Sequence, residues 1–252
     1  MELAISSFLI VCPLVFLAGF VDAVGGGGGL ISLPAYLLAG IPVHHAIATN
    51  KLSSCIGTAI STIRYCWKRK LDWVLAAGSI GLALAGSAVG AHLSLLVEER
   101  ILKLLLMIVL PVVAFYVLRT KNLEGNQKPP LSRRGTITIA WIAAFMIGCY
   151  DGFYGPGTGT FLLLVFTGAA RMDMMTAAAN TKLVNFSSNL AAMVVFLING
   201  KTYIGLGLIS AVFCVAGHYI GAEMMLKNGT KIVKPIIILV LVLLFLKLII
   251  DR

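Results

Sequence analysis

The chain has 252 residues, of which 59% are hydrophobic and 12% are charged, and its formal net charge is +10 at pH 7. This charged fraction is about half of that in soluble domains, and apolar runs near the length of about 20 residues that spans a bilayer recur throughout, so a soluble globular protein is excluded. The basic residues lie mostly in short segments between those runs, where the positive-inside rule accounts for them without a nucleic-acid partner. Composition therefore predicts an all-α polytopic membrane protein.

The apolar segments fall into two sets. Eight are long enough, or nearly so, for a membrane span: 3–21, 44–63, 73–95, 101–119, 135–150, 174–198, 203–226 and 232–250. Two shorter ones, 30–40 and 158–169, are entered through glycines. Non-helical backbone at membrane depth is tolerated only where protein or a wet cavity satisfies its polar groups. The short segments are therefore predicted to be re-entrant or broken helices.

Glycine-rich motifs precede both short segments. Asp22 comes shortly before five consecutive glycines at 25–29. Asp151 stands at the equivalent place in the second half and comes before Gly-Pro-Gly-Thr-Gly at 155–159. Paired Gly/Pro-interrupted apolar segments in matching halves are typical of a secondary transporter with its site at the repeat interface. One duplicated unit is therefore predicted to fill the chain.

A second duplicated motif places a lysine in each half. Lys51 and Lys182 occupy equivalent positions, since Lys51 lies nine residues after the polar break at Pro42 and Lys182 lies nine residues after Asp173. At about 1.5 Å per residue that depth is roughly 13 Å, close to half of a bilayer core about 30 Å thick. A cation there costs at least about 2.5 kcal/mol unless it faces a cavity or a partner, which predicts a functional site. The alternative is a structural ion pair within a half, Lys51 with Asp22 or Lys182 with Asp151, which is compatible with a site.

The residues around the lysines are unusually polar for a lipid-facing surface. A midplane lysine, hydroxyls, amides and the positive N-terminal ends of helices together describe a cavity for a small oxyanion. Any single hydroxyl or amide could instead serve as a hydrogen bond between helices. The predicted substrate-binding residues are Asn50, Lys51, Ser54, Gly27, Gly28, Asn180, Thr181, Lys182, Asn185 and Gly157.

Asp22 and Asp151 are predicted to couple transport to protons. A carboxylate in a membrane gains from neutralisation by a proton, while a nearby lysine favours its charged form. The alternative is that each aspartate caps backbone donors freed at the glycines. The histidines and cysteines lack the spacing of a metal site, and no cofactor motif is present. Duplication of every candidate group also argues against an enzyme.

Loop charges favour one topology. If the short segments cross as broken helices, each half has five spans, the repeats are inverted, and the basic loops around Lys68 and Lys121 lie in the cytoplasm. If they do not cross, each half has four spans and a third basic loop lies on the wrong side. The inverted arrangement is favoured, with a first repeat at 1–119, a cytoplasmic linker at 120–134 and a second repeat at 135–252.

These motifs resemble those of a known family. The duplicated Gly-x-x-Asp, glycine-rich segment and Thr-Asn-Lys-Leu or Asn-Thr-Lys-Leu resemble the sulfite exporter TauE/SafE family, also called the toluene sulfonate uptake permease family. The resemblance covers essentially the whole chain. The family's motifs fall on Asp22, 25–29, 49–51, Asp151, 155–159 and 180–182. Pro156 and Thr158 interrupt the second glycine motif, so its backbone is expected to approach a ligand differently.

The resemblance implies a multi-pass secondary carrier of the inner membrane, for sulfite, thiosulfate, sulfonates or related small organic anions, coupled to protons. Members carry different anions, so the resemblance does not name the substrate. An anion channel, which needs a continuous wet pore, is the main alternative, and an intramembrane enzyme is a weaker one. The sequence leaves the direction of transport and the oligomeric state open, a homo-oligomer included.

Overall fold

The computed structural model of the chain describes residues 5–68, 71–105, 108, 129 and 131–228, and every regular element in those ranges is helical. The labelled helices are α1 (Ile5–Gly25), α2 (Gly29–Leu38), α3 (Val43–Lys68), α4 (Trp73–Leu96), α5 (Arg133–Phe153), α6 (Thr158–Leu164), α7 (Met174–Ile198) and α8 (Ile204–Asn228). A π-helical turn at Val165–Ala169 continues α6. Residues 99–105 are also helical.

The helices agree with the predicted segments. The bounds of α7 match the predicted range 174–198, and the short helices α2 and α6 with its π turn occupy the two segments predicted to be broken or re-entrant. The predicted segment 232–250 lies outside the described residues, as do most of 101–119 and most of the linker 120–134.

Side-chain caps explain where three of the helices begin. Asp72 Oδ1 accepts from the Val74 amide at 3.0 Å at the start of α4, and Asp173 Oδ1 accepts from the Thr176 amide at 3.1 Å at the start of α7. Ser132 Oγ accepts from the Gly135 amide at 3.3 Å at the start of α5. Each cap satisfies one of the backbone donors that a helix leaves unpaired at its N-terminus.

Five of the described helices, α1, α4, α5, α7 and α8, are long and apolar enough to cross a membrane. Helix α3 has 26 residues, about 39 Å at about 1.5 Å per residue, but it is more polar. Many of its polar side chains are buried, among them Thr49, Lys51, Ser53 and Thr58. In a membrane such a helix belongs at the centre of the bundle, where protein and a cavity replace lipid.

Helices α1 and α2 form a hairpin, and α5 and α6 form its counterpart. Ser7 Oγ, at the start of α1, donates to the Ala39 carbonyl after α2 at 3.4 Å, so α2 returns to the level at which α1 began. Thr136 Oγ1, at the start of α5, donates to the Ala170 carbonyl after the π turn at 3.2 Å. The two hydrogen bonds join equivalent places in the two halves, in the register of the duplicated motifs.

The two hairpins begin at opposite ends of the bundle. The Val43 amide at the start of α3 donates to Glu99 Oε1 at 2.6 Å, so α3 begins where α4 ends. Arg133 at the start of α5 binds both carboxylate oxygens of Asp72, at 2.7 and 3.0 Å, and therefore lies where α4 begins. The hydroxyl of Tyr65, near the end of α3, donates to the Ala23 carbonyl at 2.8 Å near the end of α1. Helix α1 therefore starts at one end of the bundle and α5 at the other.

Helices from different halves pack most closely. Helix α1 packs on α8 and α4 packs on α5, and α3 contacts α7 at the centre. A Cβ on Gly90 would overlap the Cys149 carbonyl oxygen, and one on Gly217 would overlap the Phe16 carbonyl oxygen. Small residues that bring helix backbones together are typical of membrane helix packing. The Gly-x-x-x-Gly spacing in α4 and α8 indicates packing of this kind.

Candidate functional site

The glycine turns that end α1 and α5 meet each other at the centre of the molecule. Gly26 has a φ of 76°, in the left-handed region that favours glycine, and a Cβ on it would overlap the carbonyl carbon of Gly159. Thr160 Oγ1 donates to the Gly25 carbonyl at 3.3 Å. Only glycine at these two positions allows such a close approach, so the duplicated glycine motifs bring the two helix breaks into contact.

A cavity opens beside these turns. It encloses about 450 Å³ of space free of atoms, including the part that opens to solvent. Its walls come from both halves of the chain, and several predicted site residues line it: Asp22, Gly27, Gly28, Asn50, Lys51, Ser54, Asp151, Gly157 and Asn185. A polar cavity at membrane depth is the setting in which broken helices are tolerated.

Lys51 forms a buried ion pair in the wall of the cavity. Its Nζ lies 2.8 Å from Asp151 Oδ1, and the two side chains are 2% and 3% exposed. The same Nζ donates to Asn189 Oδ1 at 3.1 Å. Asp151 also accepts from Thr158 Oγ1 at 2.8 Å through Oδ1 and from Ser188 Oγ at 2.6 Å through Oδ2. Both oxygens of this carboxylate therefore have short hydrogen bonds.

Lys182 forms the second ion pair, with Asp22. Its Nζ lies 2.8 Å from Asp22 Oδ2 and also donates to the Asp22 backbone carbonyl. The remaining donors to this carboxylate are more distant: the Gly28 amide is 3.3 Å from Oδ1 and Asn185 Nδ2 is 3.5 Å from Oδ2. The Asp22 side chain is 13% exposed, so it is held less tightly than Asp151 and is more accessible from the cavity.

The partners differ from the pairs predicted within each half. The alternative of an ion pair within a half, Lys51 with Asp22 or Lys182 with Asp151, is wrong in its partners, because each lysine binds the aspartate of the opposite half. The physical reason is the packing of α3 and α7 against each other and against helices of the other half. Each lysine therefore projects toward the broken helix of the opposite half. The two ion pairs link the two halves of the chain.

Three predicted residues do not line the cavity. Lys182 lies behind Asp22, which it binds. Asn180 and Thr181, the preceding residues of α7, are buried. Within the described part of the chain, Asn180 Oδ1 and Thr181 Oγ1 have no hydrogen-bond partner. Asn180 Nδ2 donates to the Thr176 carbonyl at 2.9 Å.

Several cavity residues are absent from the predicted set. They are polar or titratable side chains whose motif signal is weak: Ser32, Thr58, Thr158, Asn189, Cys214 and His218. Asn189 could have been predicted, because it lies on the same helical face as Lys182 at a spacing of seven residues. His218 is not repeated in the other half, where Ser87 stands at the equivalent position, so repetition could not identify it.

Comparison with known proteins places the chain among membrane transporters. Residues 11–248 match the family described as sulfite exporter TauE/SafE. The chain is 33% identical over 236 residues to the "probable membrane transporter protein ORF9" of Sinorhizobium sp, covering 94% of this chain and 90% of that relative. It is 32% identical over 237 residues to the "probable membrane transporter protein YfcA" of Escherichia coli K12, covering 93% and 87% of the two chains.

A probable membrane transporter protein of Haemophilus influenzae is 29% identical over 256 residues, which cover all of this chain and 98% of the relative. No solved structure matches the chain significantly. The family match extends across both glycine motifs, both lysines and the helices that carry them. The chain is a multi-pass membrane transporter that belongs to the sulfite exporter TauE/SafE family.

Proposed function

We propose that the protein is a secondary active transporter that carries a small sulfur-containing or organic anion, of the sulfite, thiosulfate and sulfonate class, together with protons across the bacterial inner membrane. The observation that carries this proposal is the pair of buried lysine–aspartate contacts that join the two halves beside one cavity. Intramembrane ionisable residues mark substrate and ion pathways because an unused buried charge is costly.

The charge balance of the cavity explains why an anion would need a proton. The two lysines and two aspartates sum to zero, so an anion that enters alone leaves an uncompensated negative charge in a region of low dielectric. Protonation of Asp22 or Asp151 gives the cavity one excess positive charge, which a monoanion then neutralises. Anion and proton thereby favour each other's binding, and this coupling is reciprocal by thermodynamic linkage.

Neutral donors in the cavity wall complete the proposed anion site. Gly27 and Gly28 precede α2 and line the cavity, so the positive end of that helix faces the site. Asn50 and Ser54 lie one helical turn apart on α3, and Ser54 Oγ donates to Asn50 Oδ1 at 3.3 Å. Asn185 and Gly157 line the wall contributed by the second half. The lysine charges and these donors match the acceptor oxygens of a small oxyanion.

Asn180 and Thr181 have a proposed role in the alternate state. Thr181 is the second-half equivalent of Asn50, which lines the cavity, yet the Thr181 hydroxyl is buried without a hydrogen-bond partner among the described residues. In a carrier made of two repeats, alternating access moves one repeat against the other around a central site. Exchange of the conformations of the two halves would turn Thr181 toward the anion and withdraw Asn50, and Asn180, the neighbour of Thr181, would move with it.

An inverted topology is part of the proposal. It is supported by the opposite starting ends of α1 and α5 and by the matching hydrogen bonds that close the two hairpins. In this topology the loops at Lys68 and Lys121 are cytoplasmic, and Lys201 is periplasmic together with both chain ends. The repeats correspond to 1–119 and 135–252, joined by the linker 120–134.

The test begins with a thermal-shift comparison of sulfite, thiosulfate, sulfoacetate and taurine, with carboxylates as controls. A ligand that binds only the folded protein adds about 2.7 kcal/mol at a concentration about 100 times its Kd. The anion with the largest shift is then used, radiolabelled, for counterflow in proteoliposomes. A carrier gives saturable counterflow, whereas an anion channel gives flux without it, and a shift with no flux of either kind would refute a transport function.

Lys51→Met combined with Asp151→Asn should abolish both the thermal shift and the counterflow while the protein remains folded, because the variant removes an anion-binding cation without leaving a buried charge unpaired. Lys68→Met, which removes an exposed lysine at the end of α3, is the matched control. Equal anion affinity in the double variant and the control would leave the lysines with a purely structural role.

A further inference from the structure

One difference between the two halves of the site is a pair of neighbouring positions that includes a histidine in one half only. In the second half of the chain, α8 carries His218, whose imidazole packs against α3 at Gly57, where a Cβ would lie 2.7 Å from His218 Cδ2. The residues equivalent to His218 and Gly57 in the duplicated sequence are Ser87 and Ser188. Ser87 Oγ donates to the Ser188 carbonyl at 2.5 Å. The pair of His218 and Gly57 in one half of the site thus corresponds to the pair of Ser87 and Ser188 in the other half.

The orientation of the imidazole is set by α3. Ser61 Oγ lies 3.0 Å from the Thr58 carbonyl oxygen and 3.0 Å from Nδ1 of His218. When the hydroxyl donates its hydrogen to the carbonyl, its oxygen accepts from Nδ1. Nδ1 then carries the ring hydrogen, and Nε2 presents a lone pair. The residue equivalent to Ser61 in the second half is Ala192, so this orienting hydroxyl occurs only beside the histidine.

The free ring nitrogen faces Asp22. His218 Nε2 lies 3.8 Å from Asp22 Oδ2, and His218 is 1% exposed. At this distance the two atoms are not hydrogen-bonded, and a proton shared between them would draw them to about 3 Å. The other charged group at this point is Lys182 of α7, whose Nζ binds the same Oδ2 at 2.8 Å.

The remaining surroundings of His218 hold no second carboxylate among the described residues. Helix α1 contributes Gly19, whose Cβ would lie 3.1 Å from Cδ2, in addition to Asp22. Helix α8 itself contributes the thiol of Cys214 one turn earlier. Helix α3 contributes Ser61 and, one turn beyond it, Tyr65, whose hydroxyl is engaged with the Ala23 carbonyl. Asp22 is therefore the anionic partner of this imidazole.

Asp151, by contrast, is engaged by a close polar partner at each carboxylate oxygen. Its Oδ1 accepts from Lys51 and from Thr158 Oγ1 at 2.8 Å, and its Oδ2 accepts from Ser188 Oγ at 2.6 Å. The donors other than the lysine are hydroxyls, which do not titrate in the physiological range. The duplicated site is therefore chemically asymmetric, although the lysine and the aspartate are repeated.

We propose that His218 and Asp22 together bind the transported proton, between Nε2 and Oδ2, while Asp151 stays ionised as a fixed partner of Lys51. This inference rests on the proposed function and restricts its proton coupling to one half of the site. An anion that draws Lys182 away from Asp22 Oδ2 frees that oxygen, and a proton from the same side of the membrane then binds between it and the imidazole. Release of the anion on the other side returns Lys182 to Asp22 and expels the proton.

The principal test is the double variant Gly57→Ser/His218→Ser, which copies the Ser87/Ser188 pair that already packs in this fold. A second variant, His218→Gln, keeps the side-chain volume but cannot take up a proton. His92→Ser is the matched control, since His92 is exposed on α4 and contacts the Ala88 carbonyl of its own helix. The probe is radiolabelled sulfite in proteoliposomes.

With one proton per monovalent anion, a gradient of one pH unit sustains about tenfold accumulation in the wild type, because that gradient is worth about 1.4 kcal/mol. Both His218 variants should lose this accumulation and exchange sulfite with a higher KM, because the anion then enters without its proton, while His92→Ser should accumulate and exchange as the wild type does. Accumulation by His218→Gln at the wild-type level would overturn the inference and leave the proposed function standing. A wild type that moves no sulfite would reject the proposed function for this anion.

A second measurement decides the inference without any transport. The chain has four histidines, so ¹⁵N NMR of ring-labelled protein in lipid can follow His218, which His218→Gln identifies. The expected spectrum has hydrogen on Nδ1 and none on Nε2 at neutral pH, with Nε2 gaining a proton on acidification in a transition that Asp22→Asn displaces. A hydrogen on Nε2 throughout, or a transition indifferent to Asp22→Asn, would contradict it.

Discussion

The ion pair between Lys51 and Asp151 makes a quantitative prediction about stability. Lys51→Met keeps the apolar stem of the side chain but leaves Asp151 buried with its charge unmatched. Both side chains are almost fully buried, and their charged atoms are 2.8 Å apart. Loss of one partner from such a pair destabilises a protein by about 3–5 kcal/mol, because the remaining charge has lost its water without compensation.

A second substitution should restore most of this loss. In Lys51→Met/Asp151→Asn the charge is gone, and the amide oxygen of the new side chain can accept from one of the two hydroxyls, Thr158 or Ser188, while its NH2 group donates to the oxygen of the other. We expect the double variant to be within about 1–2 kcal/mol of the wild type, since replacing both members of a buried pair is often nearly neutral. The coupling between the two positions would then be at least about 1 kcal/mol, within the range measured for residues in direct contact.

The assay is the free energy of unfolding of the purified protein in mixed micelles, followed by the fluorescence of its three tryptophans. Lys51→Met/Asp22→Asn is the discriminating control, because Asp22 belongs to the other pair and should give no rescue. Rescue of Lys51→Met by Asp22→Asn and not by Asp151→Asn would contradict the ion pairs across the halves, since that result would mean that the pairs form within each half.

Three further predictions concern packing, pH and topology. Gly90→Leu should separate α4 from α5 and destabilise the protein by more than about 2 kcal/mol, whereas Gly81→Leu, where a Cβ meets nothing within 4 Å, should change the unfolding free energy little. The hydrogen bonds from Arg133 lower the pKa of Asp72 to about 2. The stability that this contact adds should therefore be complete above pH about 4, the ordinary pKa of an aspartate, and should disappear as the pH falls through 2. Asp72→Asn should abolish this pH dependence in acid unfolding curves. A cysteine at Lys201 should react with a membrane-impermeant reagent from the periplasm and one at Lys68 should not, and the reverse pattern would reject the proposed topology.

The helices could be predicted because a membrane span requires a simple sequence pattern, a long apolar run. A span must be long and apolar, so the length of an uninterrupted apolar run indicates the helix, as for α4 and α7. The two broken helices could be predicted from their glycines for the same reason, because an unpaired backbone is costly in lipid. Helix α3 was predictable in position, although its polarity belongs to the cavity rather than to the lipid surface.

The partners of the site residues could not be predicted from duplication. Repetition identifies Lys51 and Lys182 as equivalent, but it does not say which aspartate each one meets, because that depends on how the two halves pack. His218 was missed for the opposite reason, since it is not repeated. Its place in the site follows from its contacts, because Gly57 and Ser61 of α3 pack against its imidazole, which faces Asp22. A duplicated sequence indicates what the two halves share, whereas contacts show where they differ.

The most direct test of a central anion site is to locate an anion in it. Selenite is a heavier analogue of sulfite, and its anomalous scattering would mark its position in crystals of the protein grown with the anion. The account predicts one selenium peak in the cavity lined by Gly28, Lys51 and Asn185, and its loss in Lys51→Met/Asp151→Asn. Selenium bound outside the cavity, or bound within it equally well in the double variant, would contradict the claim that the paired lysines form the substrate site.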